Sequence, residues 1–481
     1  MCEEAHSRYE SPLCKRYAGV KMQRIFSDTN KFSTWRRLWV ALAESQKALG
    51  LPVGQDQIDE MSRFITDIDF EAAQSHEKEL RHDVMAHVHA YGDQCPKARP
   101  IIHLGATSSY VGDNTDVLVM RQGLDLVRNL LLTAISALYD FAKEHKDLPV
   151  LAYTHFQPAQ PTTLGKRAAL WLNDLILDLE QLNFVEKQVK FFGCKGATGT
   201  AASFLALFEG DHKKVLELER LIAAKMGFAP EEIVPVSGQT YSRKIDFNVL
   251  AALSGIAQSV HKFSNDIRLL CHTGEMSEPF GIKQIGSSAM AYKRNPVQSE
   301  RMAGIARHVI ALTQNAALTA SGQWFERTLD DSANRRIAIP EAFLGADAVL
   351  SLYVNVVKGL VVYPGVIKRR LKDELPFMAT ENLLMKCVAK GGDRQVLHER
   401  IRVHSIEAVR QVREGGEPND LLERIAADPH FGISLEELRE FMAQENFTGR
   451  AAEQTEEFLD RVRVLLDENK GFIGQTSEIV V

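Results

Sequence analysis

The 481 residues include 57 Lys and Arg against 63 Asp and Glu, and the formal net charge of −6 argues against a general nucleic-acid binder, which is normally basic. A hydrophobic content of 45% and a charged content of 25% are typical of soluble globular proteins. The chain is long enough for two or three domains around a large core.

The six cysteines include no CxxC pair, which indicates reduced thiols and predicts neither a disulfide framework nor a zinc site. The N-terminal segment, Met1–His6, is acidic and does not resemble a signal peptide. Apolar runs stay shorter than the ~18 residues that a membrane span needs. We therefore expect a cytoplasmic protein that does not enter a membrane.

The N-terminal region begins as a loop that contains Arg16 and Tyr17, which on their own are ordinary surface residues. Apolar side chains then repeat every three or four positions between Thr34 and Leu49. This pattern predicts an amphipathic helix that ends at Gly50.

Four histidines lie between residues 76 and 92, and one of them belongs to the triplet Arg81-His82-Asp83. The last two are two positions apart and cannot share a helix face, and the HExxH pattern is absent, so we expect no metal site. Two interpretations remain. Arg81 and His82 contact a substrate, or the histidines are packed or solvated residues of a helix.

From about residue 114 onward, apolar side chains step by three and four over long runs. Five runs of this kind begin near Val117, Leu172, Ile245, Met302 and Ile337. Helices of ~25 to 30 residues are ~40 Å long. We predict an all-α protein in which these helices form a bundle, and apolar faces left uncovered in one copy predict an oligomer.

Three polar segments connect the predicted helices. Residues 153–161 contain His155, and Thr162 or Thr163 is the expected N-cap of the next helix, so His155 is expected beside a helix N-terminus, where it can exchange protons near neutral pH. Residues 102–109 include Thr107 and Ser108, whose hydroxyls and amides suit a carboxylate or a phosphate. Residues 237–244 include Gln239, and their polar side chains are able to contact a ligand.

An arginine-rich segment at residues 323–336 contains Arg327, Ser332 and Arg336 interleaved with acids. It is either a salt-bridged turn in solvent or an anion site. We favour the anion site, because arginine forks match carboxylates and phosphates and Ser332 adds a donor.

The segment from Gly286 to Glu300 is the best candidate for a catalytic loop. Glycine and two serines give a mobile backbone with accessible hydroxyls, and Lys293 adds a cation that can stabilise a developing anion. Pro296 suits the first turn of a following helix. The alternative is an ordinary exposed Gly/Ser loop. After residue 362 the charge pattern becomes mixed, which predicts a smaller helical domain.

The segment Gly286–Asn295 resembles the GSSxMPxKxN loop of the fumarase/aspartase superfamily. Further motifs follow the order of that superfamily, and the similarity runs over nearly the whole chain. Ala291 occupies the position where proline is usual, so we expect a less rigid backbone before Lys293. The resemblance implies β-elimination of fumarate without a cofactor. It also implies a homotetramer whose central helices form a multi-helix core, with active sites shared by three subunits.

Within the superfamily, the motifs are most similar to those of lyases that act on succinyl-substituted purine nucleotides. By this resemblance Ser287 is the general base, His155 the general acid, His82 orients a substrate carboxylate and Lys293 assists Ser287. The remaining substrate contacts that the resemblance implies are Arg16, Tyr17, Arg81, Asp83, Thr107, Ser108, Gln239, Asn295, Arg301, Arg327, Ser332 and Arg336. We expect three helical domains: residues 1–111, residues 112–362 with the catalytic loop, and residues 363–481.

Three other functions compete with this interpretation. Another fumarate-releasing lyase, such as argininosuccinate lyase, shares the serine loop, but residues 81–83 and 327–336 favour the purine substrate. A non-catalytic helical scaffold, as in the related lens crystallins, is disfavoured by the intact Ser287, His155 and Lys293. A metal-dependent hydrolase would use the histidines near residue 82.

Overall fold

A computed structural model describes residues 7–442 and 447–474. Helices dominate these residues, and the four strands found among them form two separate two-stranded sheets. The predicted all-α fold class is therefore confirmed. The few strands join helices and build no larger sheet in the described part of the chain.

The N-terminal region starts with a π-helical turn, Leu13–Tyr17, and continues as five helices. These are α1 (Val20–Ile25), α2 (Asp28–Ala48), α3 (Gln55–Arg63), α4 (Phe70–Leu80) and α5 (Asp83–Gln94). Helix α2 begins six residues before the apolar pattern at Thr34, because the Ser27 hydroxyl caps it by accepting a hydrogen bond from the Asn30 amide at 3.3 Å.

The central region contains seven helices. These are α6 (Ser108–Glu144), α7 (Leu164–Glu186), α8 (Ala202–Leu207), α9 (His212–Lys225), α10 (Lys244–Thr273), α11 (Val297–Ser321) and α12 (Asp330–Lys358), with a short 3-10 turn at Pro230–Glu232. The five longest helices, α6, α7, α10, α11 and α12, pack against one another. They correspond to the five apolar runs and confirm the predicted bundle.

Close helix packing in the bundle depends on small residues and on large aromatic rings. A Cβ atom at Gly123 of α6 would lie 2.7 Å from the Phe343 ring of α12, so only glycine allows this approach. Trp171 and Tyr353 pack against Phe263 with ring centroids 5.1 and 4.2 Å apart. Burial of each such side chain contributes about 1.5–3 kcal/mol.

One helix among the described residues, Asp330–Gly359, is long and apolar enough to cross a membrane by composition alone. However, 83% of its most apolar stretch is buried inside the protein. Its apolar surface is therefore covered by the other bundle helices, as expected for the core helix of a helical bundle.

A β-hairpin interrupts the central region between α6 and α7. Strand β1 (Pro149–Thr154) pairs antiparallel with β2 (Gln157–Thr163), and further on β3 (Met276–Ser277) pairs with β4 (Val361–Val362). The sequence predicted only a polar loop at residues 153–161. The two prolines of β2 are tolerated because this strand has a neighbour on one side only.

Six α-helices lie in the described part of the C-terminal region. These are α13 (Pro364–Met378), α14 (Thr380–Ala389), α15 (Arg394–Gly415), α16 (Leu421–Ala427), α17 (Leu435–Phe441) and α18 (Ala451–Glu468). Apolar residues between Leu383 and Leu438 form a small separate core. Helix α18 instead packs against α6 and α7, and its Leu459 and Val462 belong to the main core.

Candidate active site

A cleft of about 820 Å³ opens between the N-terminal helices and the starts of α6 and α12. Its walls come from segments that are far apart in sequence. Seven of the residues predicted as substrate contacts line it: Arg81, His82, Asp83, Ser108, Arg327, Ser332 and Arg336. The fold thus brings these side chains, several of them suited to bind anions, into one cleft. The sequence alone identified the separate motifs but not their proximity.

Arg81 and His82 lie at the break between α4 and α5. Arg81 ends α4 in the left-handed conformation at φ 55°, and His82 caps α5 by accepting a hydrogen bond from the Met85 amide at 3.3 Å. Both side chains are exposed along the cleft. His87 is different, because it is buried and stacks on Phe32 at 3.7 Å. The packed-histidine interpretation is therefore correct for His87, and the substrate contacts of Arg81 and His82 stay a prediction.

Arg327 is held in place by two neutral side chains. Its Nη1 donates hydrogen bonds of 2.8 Å to Ser109 Oγ and to Gln239 Oε1. Gln239 reaches Arg327 because the backbone at Gly238 presses against Glu326, where an added Cβ would lie 2.4 Å from the Glu326 carbonyl oxygen. These partners carry no charge, and within residues 7–442 and 447–474 no carboxylate forms an ion pair with the Arg327 guanidinium, which remains a cation available to a ligand at the cleft.

Ser332 and Arg336 lie on the first turns of α12. Helix α12 begins at Asp330, so a salt-bridged turn, the alternative that the sequence analysis disfavoured, does not extend over the whole of residues 323–336. Arg336 pairs with Asp83 across the cleft at 2.5 Å. Desolvation raises the pKa of Asp83, but the Arg336 cation outweighs it and holds that pKa below its ordinary value.

A buried ionic network in the floor of the cleft was not predicted from the sequence. Arg243 donates to Asp331 at 2.7 Å and to Asp113 at 3.0 Å, and Arg335 donates to Asp246 at 2.6 Å. Desolvation raises the pKa of Asp113, and Arg243 opposes this shift. These pairs fix the starts of α10 and α12 relative to α6. Arg335 lies beside Arg336 in sequence, but Arg335 is buried in this network whereas Arg336 is exposed at the cleft.

His155 lies at the turn of the β1–β2 hairpin and not beside a helix N-terminus, so this part of the sequence prediction is wrong. Thr163 is the N-cap of α7, as predicted, and accepts a hydrogen bond from the Lys166 amide at 3.1 Å. Strand β2 places this cap ~20 Å from the hairpin turn. His155 and Phe156 have positive φ angles of 53° and 58°, and both side chains are exposed.

Ser287, Lys293 and Asn295 lie in the loop between β3 and α11. The Ser287 oxygen accepts hydrogen bonds from the amides of Ala289 at 3.3 Å and Met290 at 3.1 Å. Asn295 Nδ2 donates to the Gly286 carbonyl at 2.7 Å, which closes the loop on itself. Lys293 is exposed.

The loop is anchored at its base by Glu278. This buried carboxylate accepts hydrogen bonds from the amides of Gln298 and Ser299, both at 2.9 Å, and from the Ser299 hydroxyl at 3.0 Å. Glu278 therefore joins the two ends of the loop and supplies the first turn of α11 with acceptors. The sequence analysis did not select it.

The remaining predicted contacts lie outside the cleft lining. Arg16 and Tyr17 belong to the π-helical turn, and the Arg301 guanidinium lies 6.0 Å from the Tyr17 ring centroid. Thr107 is the N-cap of α6, next to the lining residue Ser108. Over residues 7–442 and 447–474, no group of three His, Cys, Asp or Glu side chains is arranged to hold a metal ion.

The fold is similar to those of solved enzyme structures. The 3-carboxy-cis,cis-muconate lactonizing enzyme from Pseudomonas putida has a TM-score of 0.81 at 22% identity, covering 94% of this chain and 98% of that chain. A fumarate lyase from Mesorhizobium sp. BNC1 has a TM-score of 0.79 at 23% identity, covering 94% and 99%. At these identities the similarity establishes the fold alone.

Sequence comparisons give the family. Residues 54–311 match the family described as Lyase, and residues 376–458 match the one described as Adenylosuccinate lyase C-terminus. Proteins named adenylosuccinate lyase are 52% identical in Saccharomyces cerevisiae and 49% identical in Schizosaccharomyces pombe, each over 95% of both chains. The chain therefore belongs to the adenylosuccinate lyase family of carbon–nitrogen lyases, within the fumarase/aspartase superfamily.

Proposed function

We propose that this protein cleaves adenylosuccinate to AMP and fumarate, and cleaves the succinyl-carboxamide ribotide SAICAR to AICAR and fumarate, in purine nucleotide biosynthesis. The main support for this proposal is the cleft. It gathers Arg81, Arg327 and Arg336 around one cavity, in a chain that is 52% identical to a protein named adenylosuccinate lyase.

The charges of the cleft suit such a substrate. Adenylosuccinate carries roughly four negative charges, from one phosphate and two carboxylates. Arginine forks bind these groups in a bidentate manner, and Ser108 and Ser332 add hydroxyl donors at the same surface. Substrate binding therefore uses complementary charge that the chain's overall net charge of −6 does not reveal.

Ser287 is the proposed general base, which removes a proton from the carbon next to a substrate carboxylate. A serine hydroxyl is a weak base unless its anion is stabilised. The amides of Ala289 and Met290 point hydrogen bonds at the Ser287 oxygen, and such donors favour an alkoxide. Lys293, from the same loop, is proposed as an additional cation when the loop closes over the substrate.

His155 is the proposed general acid, and its proton goes to the departing nitrogen. The electron pair of the broken C–H bond forms the double bond of fumarate, the C–N bond breaks, and the pair on nitrogen takes the proton from the imidazolium. The exposed position at a hairpin turn supports this role, because the imidazole is accessible to a substrate. His82, in the cleft wall, is proposed to orient a substrate carboxylate.

A homotetramer with active sites shared between subunits is part of the proposal. Among the described residues of one chain, the lining of the cleft does not include His155, Ser287 or Lys293. Exposed apolar side chains recur every seven residues on α7, at Leu170, Leu177 and Phe184, with 53%, 56% and 59% of their surface exposed. Such a stripe on one helix face is typical of a surface that packs against another helix.

The three-domain division and the cytoplasmic location remain proposals as well. The small separate core between Leu383 and Leu438 supports a C-terminal domain within residues 363–481. The boundary between residues 1–111 and 112–362 is proposed from the change from short helices to the long α6. A cytoplasmic enzyme would meet its nucleotide substrate directly.

The purified protein is to be incubated with adenylosuccinate while ultraviolet absorbance is followed and the products are separated. We expect equal amounts of AMP and fumarate, and no fumarate from argininosuccinate as the comparison substrate. Absence of both products at micromolar enzyme would rule out the proposed function. A second arm with EDTA is expected to leave the rate unchanged, and a loss of activity there would favour the metal-dependent hydrolase.

A further inference from the structure

Lys31 lies in the cleft and was not selected by the sequence analysis. It occupies the first turn of α2 and lines the cavity together with Arg336, Asp83 and Asp116. The side chain is partly buried. Its ammonium lies 5.0 Å from the ring centroid of Phe32 and 5.3 Å from that of Trp35.

The Lys31 ammonium makes neither a hydrogen bond nor an ion pair with any residue in the described part of the chain. Desolvation lowers the pKa of Lys31, and the nearby Arg336 cation lowers it further, whereas Asp116 and Asp83 oppose the shift. A partly desolvated cation without an anionic partner costs free energy, and a bound anion removes that cost.

Three acids lie near Lys31; two of them are engaged in ion pairs, and the third, Asp28, makes no ion pair with Lys31 among the described residues. Asp83 pairs with Arg336 at 2.5 Å, and Asp116 pairs with the buried Arg335 at 2.8 Å. The Lys31 ammonium itself lies near the Phe32 and Trp35 rings, in the lining of the cavity. Lys31 is therefore a cation of the cleft wall that no described acid within ion-pairing distance neutralises.

We propose that Lys31 binds a phosphate or carboxylate oxygen of the substrate. This inference rests on the proposed function, because it names a further contact for the same polyanionic nucleotide. The ammonium would act as a point charge beside the Arg336 fork, so it contributes to substrate binding more than to the chemical step.

The test compares Lys31→Gln, Lys31→Met and Lys31→Arg with the wild type. Gln and Met both remove the charge, and Met keeps an apolar stem over Phe32 and Trp35 if the Gln variant folds poorly. We expect KM to rise about ten-fold or more in both, the scale of one charge-assisted hydrogen bond, with kcat changed less than about two-fold. Lys31→Arg is expected to recover most of the loss.

The matched control is Lys78→Gln, which removes an exposed lysine of α4 that does not line the cleft. Its KM is expected to stay at the wild-type value. A similar rise of KM in this control would show that the Lys31 effect comes from the change in overall charge. That result would overturn the inference.

Product inhibition separates the two possible anions. A higher inhibition constant for AMP alone assigns Lys31 to the phosphate, and a higher constant for fumarate alone assigns it to a carboxylate; either result supports the inference. Wild-type KM and inhibition constants in both neutral variants would overturn it. An inactive wild-type protein would instead overturn the proposed function.

Discussion

At the scale of single residues, the two proposed proton-transfer groups lie on exposed or partly exposed loops that do not belong to the core. Ser287→Ala and His155→Ala should therefore each leave folding and assembly intact. We expect kcat to fall by about 10²–10⁴-fold, the range for loss of a general acid or base. Fumarate release measures the rate, and gel filtration checks the assembly. Near-normal turnover in either variant would contradict its role.

Asp428 permits a prediction about stability. Its carboxylate accepts hydrogen bonds from Arg400 at 2.8 Å, His404 at 2.9 Å and the His430 imidazole at 3.0 Å. Burial raises the pKa of Asp428, but the hydrogen bonds from His404 and His430, followed by that from Arg400, outweigh it and lower the pKa. The carboxylate thus stabilises the fold above its unfolded-state pKa of about 3.9, and this contribution is lost as pH falls toward the folded value.

We expect Asp428→Asn to reduce the free energy of unfolding by about 1–3 kcal/mol at pH 7. The difference from the wild type should shrink as pH falls below about 4, because the carboxylate of the unfolded state is then protonated while that of the folded state stays ionised. Urea unfolding followed by circular dichroism at both pH values measures it. Glu399→Gln, which removes an exposed carboxylate of α15, is the control and should change little. A difference that grows in acid would refute this account.

Residues could be found from the sequence where they belong to a motif with recognisable chemistry. Residues 81–83 and the segment ending at Arg336 were selected from side-chain chemistry and family resemblance, and the fold brings them together. Lys31 and Arg243 were missed, because nothing in the local sequence separates a cleft cation or a buried cation from a surface one. Arg335 and Arg336 differ only in the helix face they occupy.

At the scale of the elements, the anchor of the serine loop is open to a direct test. Glu278→Gln keeps one acceptor but weakens the tie between the two ends of the loop. We expect kcat to fall about ten-fold, with a stability loss of about 1–2 kcal/mol, the range for losing a helix cap. Glu300→Gln changes an exposed carboxylate in the same first turn of α11 and is the control. An unchanged kcat in Glu278→Gln would show that the anchor is dispensable.

The long helices were predictable because their apolar faces repeat over many turns. The hairpin was not predictable, because strands of six and seven residues with three prolines between them carry little periodic signal. Tertiary packing stabilises the hairpin, in which Val150 and Leu151 are buried. The error moved His155 from a helix end to a hairpin turn, so a misassigned short element changed the expected surroundings of a proposed proton donor.

At the scale of the whole molecule, the apolar stripe on α7 predicts what holds the proposed oligomer together. Leu177→Glu places a charge in the middle of that stripe, and we expect dissociation into smaller species and at least about a ten-fold loss of activity. Sedimentation velocity measures the dissociation. Leu216→Glu, at a similarly exposed site on α9, should keep both assembly and rate. Full activity in a dissociated Leu177→Glu protein would argue against shared sites.

Site sharing also predicts complementation. Inactive Ser287→Ala and His155→Ala subunits, mixed and allowed to exchange, should regain about a quarter of wild-type activity if each site takes these two residues from different subunits. If both residues came from the same subunit, every site would lack one of them. Exchange is verified by mass spectrometry of intact oligomers. Verified exchange without recovery would mean that one subunit supplies both groups.

The placement of α18 affects how the protein can be made. Leu459 and Val462 fill positions among helices that leave the ribosome some three hundred residues earlier. Until residues 451–468 have been synthesised, α6 and α7 keep an unfilled apolar seam that is open to chaperones or to misassociation. Nascent chains stalled before residue 451 should therefore remain bound by chaperones, whereas the full-length chain is released.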